Sequence, residues 1–343
     1  MSNPLFIAGT RPEIIKISTI SNYLKSKILF TGQHFDKEMS EIFFKLINKS
    51  SLIELGGNNY KEGSHELFIN DIKRKLEEIN PASVVVQGDT NTTLYGALAA
   101  KSLGIKINYI ESGMRSGDIN QIEEINRIIV SGLADLNFCN HENNRENLLL
   151  ENINEKKICV SGSTVFSVLS ENHLINEIHE SNKEKFILLT LHRPENVDDK
   201  KKIFSILETI NSIGEKITFV THPRVQEIIN SNSMQSYNNI TLEKPKNYFD
   251  FINLLKSSFF VISDSGGIQE ESAILRKPLL IPRKFTERPE MLNIFNLLVE
   301  TNEELLNESK KLLNGTSILE KIQNKDLLYG ESEVLNTISK NII

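Results

Sequence analysis

Short apolar runs recur along the chain, and most are followed closely by a glycine or a charged residue. The first set is PLFIA (4–8), KILFT (27–31), ASVVVQ (82–87), KINYI (106–110), LNFC (136–139) and KICV (157–160). Runs of this length, rich in Val, Ile, Phe and Leu, are expected for strands buried on both faces of a parallel sheet. Between them the apolar spacing becomes helical, as at Ile14, Ile17 and Tyr23 and at Leu94, Leu98 and Lys101. The rhythm restarts with FILLTL (186–191), KITFVT (216–221), NITLE (239–243), FFVIS (259–263) and PLLIP (278–282). The expected fold class is α/β, with two Rossmann-like doubly wound domains. A length of 343 residues, beyond the size at which one core keeps growing, agrees. Ser161-Gly162-Ser163 closes the first set and no strand follows before Phe186, so the boundary is expected near Thr164, giving domains 1–165 and 166–343. Residues 302–343 are patterned as helices that pack on one domain or the other.

Composition narrows the function. No apolar stretch approaches the ~20 residues that cross a bilayer, and the start MSNPLFIAGT has no signal-peptide pattern, so a cytoplasmic protein is expected. Cys139 and Cys159 are too few for a disulfide framework and read as buried small hydrophobes. A net charge of −6 argues against a nucleic-acid binder. The seven histidines lack metal-ligand spacing, and no G-x-G-x-x-G follows a strand, so neither a metal nor a dinucleotide cofactor is expected.

Ligands of open parallel sheets bind beyond the carboxyl ends of the strands. Those ends here read Gly9-Thr10-Arg11-Pro12-Glu13, Gly32-Gln33-His34, Gly88-Asp89-Thr90, Glu111-Ser112-Gly113-Met114-Arg115, His192-Arg193-Pro194-Glu195-Asn196, His222-Pro223-Arg224 and Asp264-Ser265-Gly266-Gly267. Ser265-Gly266-Gly267 before IQEESAIL reads either as a phosphate seat on open backbone N–H groups or as a Ser-capped turn, with Glu270 and Glu271 in the first helical turn. Arg11, Lys16, His192, Arg193, His222, Arg224 and Arg288 are candidate cations for a diphosphate. Asp89 reads equally as a helix N-cap or as a catalytic acid. Glu111 ends an apolar run, so it is expected to pair with Arg115 or Arg11 or to be held for chemistry. Glu123 and Glu124 open a helix, where Glu123 can pair with Arg127 at i+4.

Taken in order, GTRPEIIK, TGQHFDKEM, GDTNTT, ESGMR, EEINR, HRPEN, SDSGGIQEE and TERPE resemble the non-hydrolysing UDP-N-acetylglucosamine 2-epimerases, from Ile7 to about Met291. The resemblance implies a GT-B architecture with the substrate in the interdomain cleft, and a homodimer. It implies that Asp89, Glu111 and Glu123 are the acid–base carboxylates and that His192 belongs to the catalytic group. It further implies that Arg11, Lys16 and His192 contact the substrate, and Arg115, Arg193 and His222 are further candidates for substrate binding. UDP would lie on the second domain, with Ser265, Gly266 and Gly267 at the diphosphate, Glu271 at the ribose, Phe251 and Lys246 near the uracil, and Arg288 at a further position. Tyr109 stands where the family usually has His. Gln33 and His34 match half of an activator site whose Arg-Gln partner is missing from 58–66 (NNYKEGSHE), so activation by UDP-N-acetylglucosamine is expected to be weak or absent.

The implied chemistry explains why such residues would gather. The C2 proton of the sugar is not acidic until the C1–O bond to UDP breaks. Loss of UDP makes it labile, a base completes elimination to a 2-acetamidoglucal, and re-addition with protonation from the other face gives the epimer. That route wants cations at the leaving diphosphate, an acid and a base on opposite faces, and a closed site. A hydrolysing epimerase, an epimerase of a modified UDP-sugar, a GT-B glycosyltransferase and a non-catalytic nucleotide-sugar sensor are the alternatives. The expectation of no metal and no nicotinamide is testable in the purified protein: EDTA should leave turnover intact and added NAD should not change it, whereas loss on chelation with rescue by a divalent ion would refute it.

Overall fold

The computed structural model of the chain describes residues 3–32, 46–47, 49–55, 64–175, 185–229, 236–319, 322, 329 and 333–343. The chain divides into two compact units, Met1–Asn172 with Leu328–Ile343, and His173–Leu327.

The first unit holds a seven-stranded sheet of β1 (Leu5–Ala8), β2 (Ile28–Phe30), β3 (Leu52–Glu54), β4 (Ser83–Gln87), β5 (Lys106–Ile110), β6 (Leu136–Cys139) and β7 (Ile158–Val160). Its order is β3-β2-β1-β4-β5-β6-β7, and every pair is parallel. The second unit holds β8 (Ile187–Thr190), β9 (Ile217–Val220), β10 (Ile240–Glu243), β11 (Phe260–Ser263), β12 (Leu279–Ile281) and β13 (Asn296–Leu298), ordered β10-β9-β8-β11-β12-β13 and again parallel. Two parallel sheets flanked by helices are the α/β class expected. Every apolar run became a strand, and β3 and β13 are additional. Both are three-residue edge strands, and the partial exposure of β3 weakens its apolar signature.

Side chains of one strand alternate between two faces. Leu5 and Ile7 of β1 join a core with Val84, Val86, Tyr109 and the helix His65–Ile79. Phe6 and Ala8 join the opposite core, against Ile14, Ile17 and Ile20 of the helix Arg11–Tyr23. That second core is completed by Val334 and Ile338 of the last helix, Val334–Asn341. The chain returns over the end of β7, where Ser163 N–H donates to Tyr329 O at 2.9 Å. Gly162 has φ +79°, and a Cβ there would stand 2.5 Å from Tyr329 O, so only glycine admits Tyr329 at this distance. The first unit also continues through the helix Thr164–Glu171 to Asn172, beyond 165, because Val165, Val168 and Leu169 are buried and this helix packs on Arg11–Tyr23.

In each sheet the strand order reverses once, between β1 and β4 and between β8 and β11. These switch points are where open α/β sheets take ligands. No helix among the described residues is long and apolar enough to cross a membrane. Since Ile338 is fully buried in the first unit's core, Ile338→Ala is expected to cost that unit about 2–5 kcal/mol. Calorimetry of the full chain should show the loss in one transition, with the second unit's transition unmoved.

Candidate active site

At the first switch point the chain leaves β1 at Gly9. A Cβ there would lie 2.1 Å from Thr92 Oγ1 and 2.5 Å from Thr31 Oγ1, so glycine lets the loops after β1, β2 and β4 meet. Glu13, 4% exposed, fastens the loop after β1 to the loop after β4. Its carboxylate accepts the N–H groups of Gly9 and Thr10 at 2.8 Å, and the hydroxyls of Thr10 (3.0 Å), Thr90 (2.6 Å) and Thr93 (3.1 Å). Burial pushes this carboxyl up, and the donors oppose that shift. Sequence reasoning gave Glu13 no role of its own. Five donors converging on one acid from two segments could not be read from spacing.

Arg11 opens the helix that carries Glu13, half-buried, and Lys16 lies further along it. Lys16 Nζ contacts both oxygens of Glu111, at 2.7 and 2.6 Å. Glu111 is buried, has φ +68°, and also accepts from Gln87 Nε2. Lys16 and Gln87 thus meet Glu111 where Arg115 was expected. Arg115 goes elsewhere because Gly113, at φ +82°, packs its Cα against Asn144, whose O would be 2.2 Å from a Cβ. Beyond that turn the Arg115 guanidinium meets Glu151 at 2.6 and 2.7 Å, Met114 O at 2.7 Å and Ser131 Oγ at 3.2 Å. It does not join Lys16 and Glu111.

Asp89 is not the N-cap of the following helix. Thr90 is, its hydroxyl accepting Thr93 N–H at 3.3 Å. Asp89 is half-exposed and paired with Arg127, and its backbone O accepts Asn126 Nδ2 at 2.8 Å. Arg127 pairs with Glu124 (2.7 Å) in place of Glu123, because Glu124 turns inward at 2% exposure. Glu123, in the first turn of the helix Ile122–Leu133, is half-buried and its side chain makes no hydrogen bond among the described residues. Glu111 Oε2 lies 3.9 Å from where a Cβ on Gly88 would stand, so it neighbours the loop of Asp89. Tyr109, fully buried, donates to Gly88 O at 2.8 Å, and that bond holds the same loop.

At the second switch point the hub is Asp264, 0% exposed. It accepts the backbone N–H of His192 (3.1 and 3.2 Å), that of Arg193 (3.1 Å) and Asn196 Nδ2 (3.0 Å), and meets His192 Nδ1 at 3.1 Å. Burial alone would raise its pKa. The bonds from His192, Asn196 and the Arg193 amide outweigh it and hold the carboxyl below its ordinary 3.8. Half-buried Arg193 caps the short helix Pro194–Val197. The His222 ring lies 5.6 Å from that of His192, and burial with the positive charge of His192 and Arg224 pushes its pKa down. Neutral His222 Nδ1 accepts Arg224 N–H at 3.2 Å, while the Arg224 side chain pairs with Asp198 at 2.8 Å.

Ser265 stands at the N-cap of the helix Gly266–Ile274 without a side-chain cap bond, and a Cβ on Gly267 would meet nothing closer than 4.0 Å. The Ser-capped reading is therefore excluded. Gly266 lies against Glu287, whose Oε1 would be 2.2 Å from a Cβ. Glu270 and Glu271 fall in the second turn, because the helix starts at Gly266. Arg288, buried, reaches Glu287 at 2.8 Å and Glu270 at 3.4 Å. Glu271 faces Tyr248, whose hydroxyl is pushed well above its usual value by burial and by that charge. Lys246 pairs with Glu243 at 3.1 Å, and Phe251 is half-buried on the helix Tyr248–Ser257. Gln33 and His34 lie outside the described residues. Among the described residues no three His, Cys, Asp or Glu side chains are placed to hold a metal ion.

Twin parallel sheets, with charged side chains and glycines on the loops of each switch point, define an α/β enzyme of the GT-B-like class. The family model for UDP-N-acetylglucosamine 2-epimerase matches residues 18–343, and the chain belongs to that family. It is 37% identical over 333 residues to the UDP-N-acetylglucosamine 2-epimerase of Methanocaldococcus jannaschii, covering 90% of this chain and 91% of the relative. It is 33% identical to the UDP-2,3-diacetamido-2,3-dideoxy-D-glucuronate 2-epimerase of Pseudomonas aeruginosa, covering 98% of each. The crystal structure of the M. jannaschii enzyme with UDP-GlcNAc and UDP superposes with a TM-score of 0.83 at 33% identity, over 98% of each chain.

The depressed Asp264 carboxyl fixes a pH dependence. A group whose folded pKa lies below 3.8 contributes stability fully above that value and loses it as pH falls through the folded value. The second unit's thermal midpoint should therefore drop steeply at acid pH. Asp264→Asn should be less stable at neutral pH and should flatten that acid slope.

Proposed function

We propose that the chain interconverts UDP-N-acetylglucosamine and UDP-N-acetylmannosamine at C2 without hydrolysis, by eliminating UDP to a 2-acetamidoglucal and adding it back, with no metal or nicotinamide. The observation that carries this reading is the set of carboxylates at the first unit's switch point. Asp89, Glu111 and Glu123 belong to neighbouring segments but have different surroundings. Glu111 is buried beside Lys16, Asp89 is half-exposed beside Arg127, and Glu123 is half-buried without a cation. Unlike environments are what allow one carboxyl to act as acid and another as base at one pH.

In the elimination, one of these groups takes the C2 proton while the electron pair of the C1–O bond leaves with the β-phosphate. In the return step a second group delivers a proton to the opposite face of C2. Lys16 holds the Glu111 carboxylate in place through both its oxygens. The second unit's contribution is the leaving group. The uncapped amides of Gly266 and Gly267, beside Ser265 and with Arg193 and His192 on the adjoining loop, suit a diphosphate. Glu271 beside Tyr248 suits a ribose hydroxyl, which a carboxylate can accept. Buried Arg288 then acts through Glu287 and Glu270 on the shape of that seat.

Proton NMR of the protein with UDP-N-acetylglucosamine in D2O tests the reaction. Deuterium at C2 and UDP-N-acetylmannosamine are the expected products. Free N-acetylmannosamine with UDP would mean hydrolysis, and an inert substrate alongside turnover of a 2,3-diacetamido UDP-sugar would move the substrate class. Asp89→Asn, Glu111→Gln and Glu123→Gln should each lower turnover by ~10²–10⁴-fold, with UDP affinity, measured by calorimetry, little changed. Near-normal turnover in Glu123→Gln would remove that residue from the catalytic set.

A further inference from the structure

We propose that Glu124 and Arg127 are positioning residues that hold the three carboxylates Asp89, Glu111 and Glu123 in one geometry. The inference rests on the epimerase reading above. Glu124 Oε1 accepts Ser116 N–H and Gly117 N–H, both at 2.9 Å, and Oε2 accepts Ser116 N–H at 3.0 Å and Arg127 Nη1 at 2.7 Å. Ser116 and Gly117 belong to the loop that leaves Glu111, and Gly117 takes φ +76° to present its amide. The other arm of Arg127 holds Asp89, the residue next to Gly88 at the end of β4. Asn126, between them on the helix, adds the bond to Asp89 O. Glu123 precedes Glu124 on the same first turn. One buried carboxylate and one guanidinium thus join the segments that carry all three acids.

Stability alone does not account for the pair. A buried ion pair gains little over well-packed apolar side chains, because its desolvation offsets its attraction. Apolar side chains here would fill the same volume but would give no directional bonds to the Ser116 and Gly117 amides or to Asp89. What the pair supplies is orientation. Lysine keeps the charge of Arg127 but not its fork, so it can serve Glu124 or Asp89 but not both in the same geometry.

Steady-state epimerisation by Glu124→Gln, Arg127→Lys and Arg127→Met tests this, together with amide hydrogen exchange of the full chain. The expected result is a kcat lowered by ~10–10²-fold with KM almost unmoved, and Arg127→Lys between wild type and Arg127→Met. Exchange at Ser116 and Gly117 should quicken by about tenfold in Glu124→Gln, the loss of one charge-assisted hydrogen bond. Unchanged kcat, a rise confined to KM, or variants that simply unfold would each overturn the inference. Unaltered exchange at those two amides overturns it whatever the substrate. A wild-type protein that does not turn over UDP-N-acetylglucosamine would instead refute the epimerase reading, and the exchange result, which needs no substrate, still decides whether Glu124 anchors the loop.

Discussion

The carboxylate of Glu13 sits where the loops after β1, β2 and β4 converge, and the geometry of the first unit's switch point follows from it. Taking a carboxyl out of water costs several kcal/mol unless donors replace the lost hydration. Here two backbone amides and three hydroxyls do so. Because the amides belong to Gly9 and Thr10 and two of the hydroxyls to Thr90 and Thr93, satisfying the acid fixes two strand ends against each other. The helix that starts beside it then carries Lys16 to Glu111, which draws in the end of β5.

Glu124 and Asp264 repeat the device at other loops. Each is buried and each accepts backbone N–H groups from a loop bearing charged side chains. For both, burial pushes the carboxyl up, while the amides and a neighbouring cation or imidazole pull it below its ordinary value. Backbone amides neither titrate nor change rotamer, so loops tied this way keep one shape across neutral pH. Rigidity of this kind suits side chains that must keep a fixed geometry toward a ligand.

The strands of both sheets were legible because burial on two faces leaves continuous apolar runs. Only β3 and β13, short and at sheet edges, lacked that mark. The order of motifs along the strand ends carried the family, and the same ends hold the candidate site. Pairing was the part that could not be read. Glu111 meets Lys16 from another segment, and nothing in ESGMR indicates that Gly113 sends Arg115 toward Glu151. The choice of Glu124 over Glu123 by Arg127 depends on which face of the helix turns inward, and two adjacent acids leave that undetermined until the loop donors are in place. The cap of the helix after β4 could not be read for a related reason. Asp89 and Thr90 are both good caps, and their strand-end position did not say which would be spent on Arg127.

The return of residues 334–341 to the first unit gives the molecule a particular order of assembly. During synthesis the first sheet can form early, but the face of its core that Val334 and Ile338 complete stays open until the entire second unit has left the ribosome. Closing that face joins residues far apart in sequence, a slow kind of contact to make. The interval is a window in which an apolar surface is open to chaperones or to wrong partners. The second unit is, in effect, an insertion that must fold inside an unfinished first one.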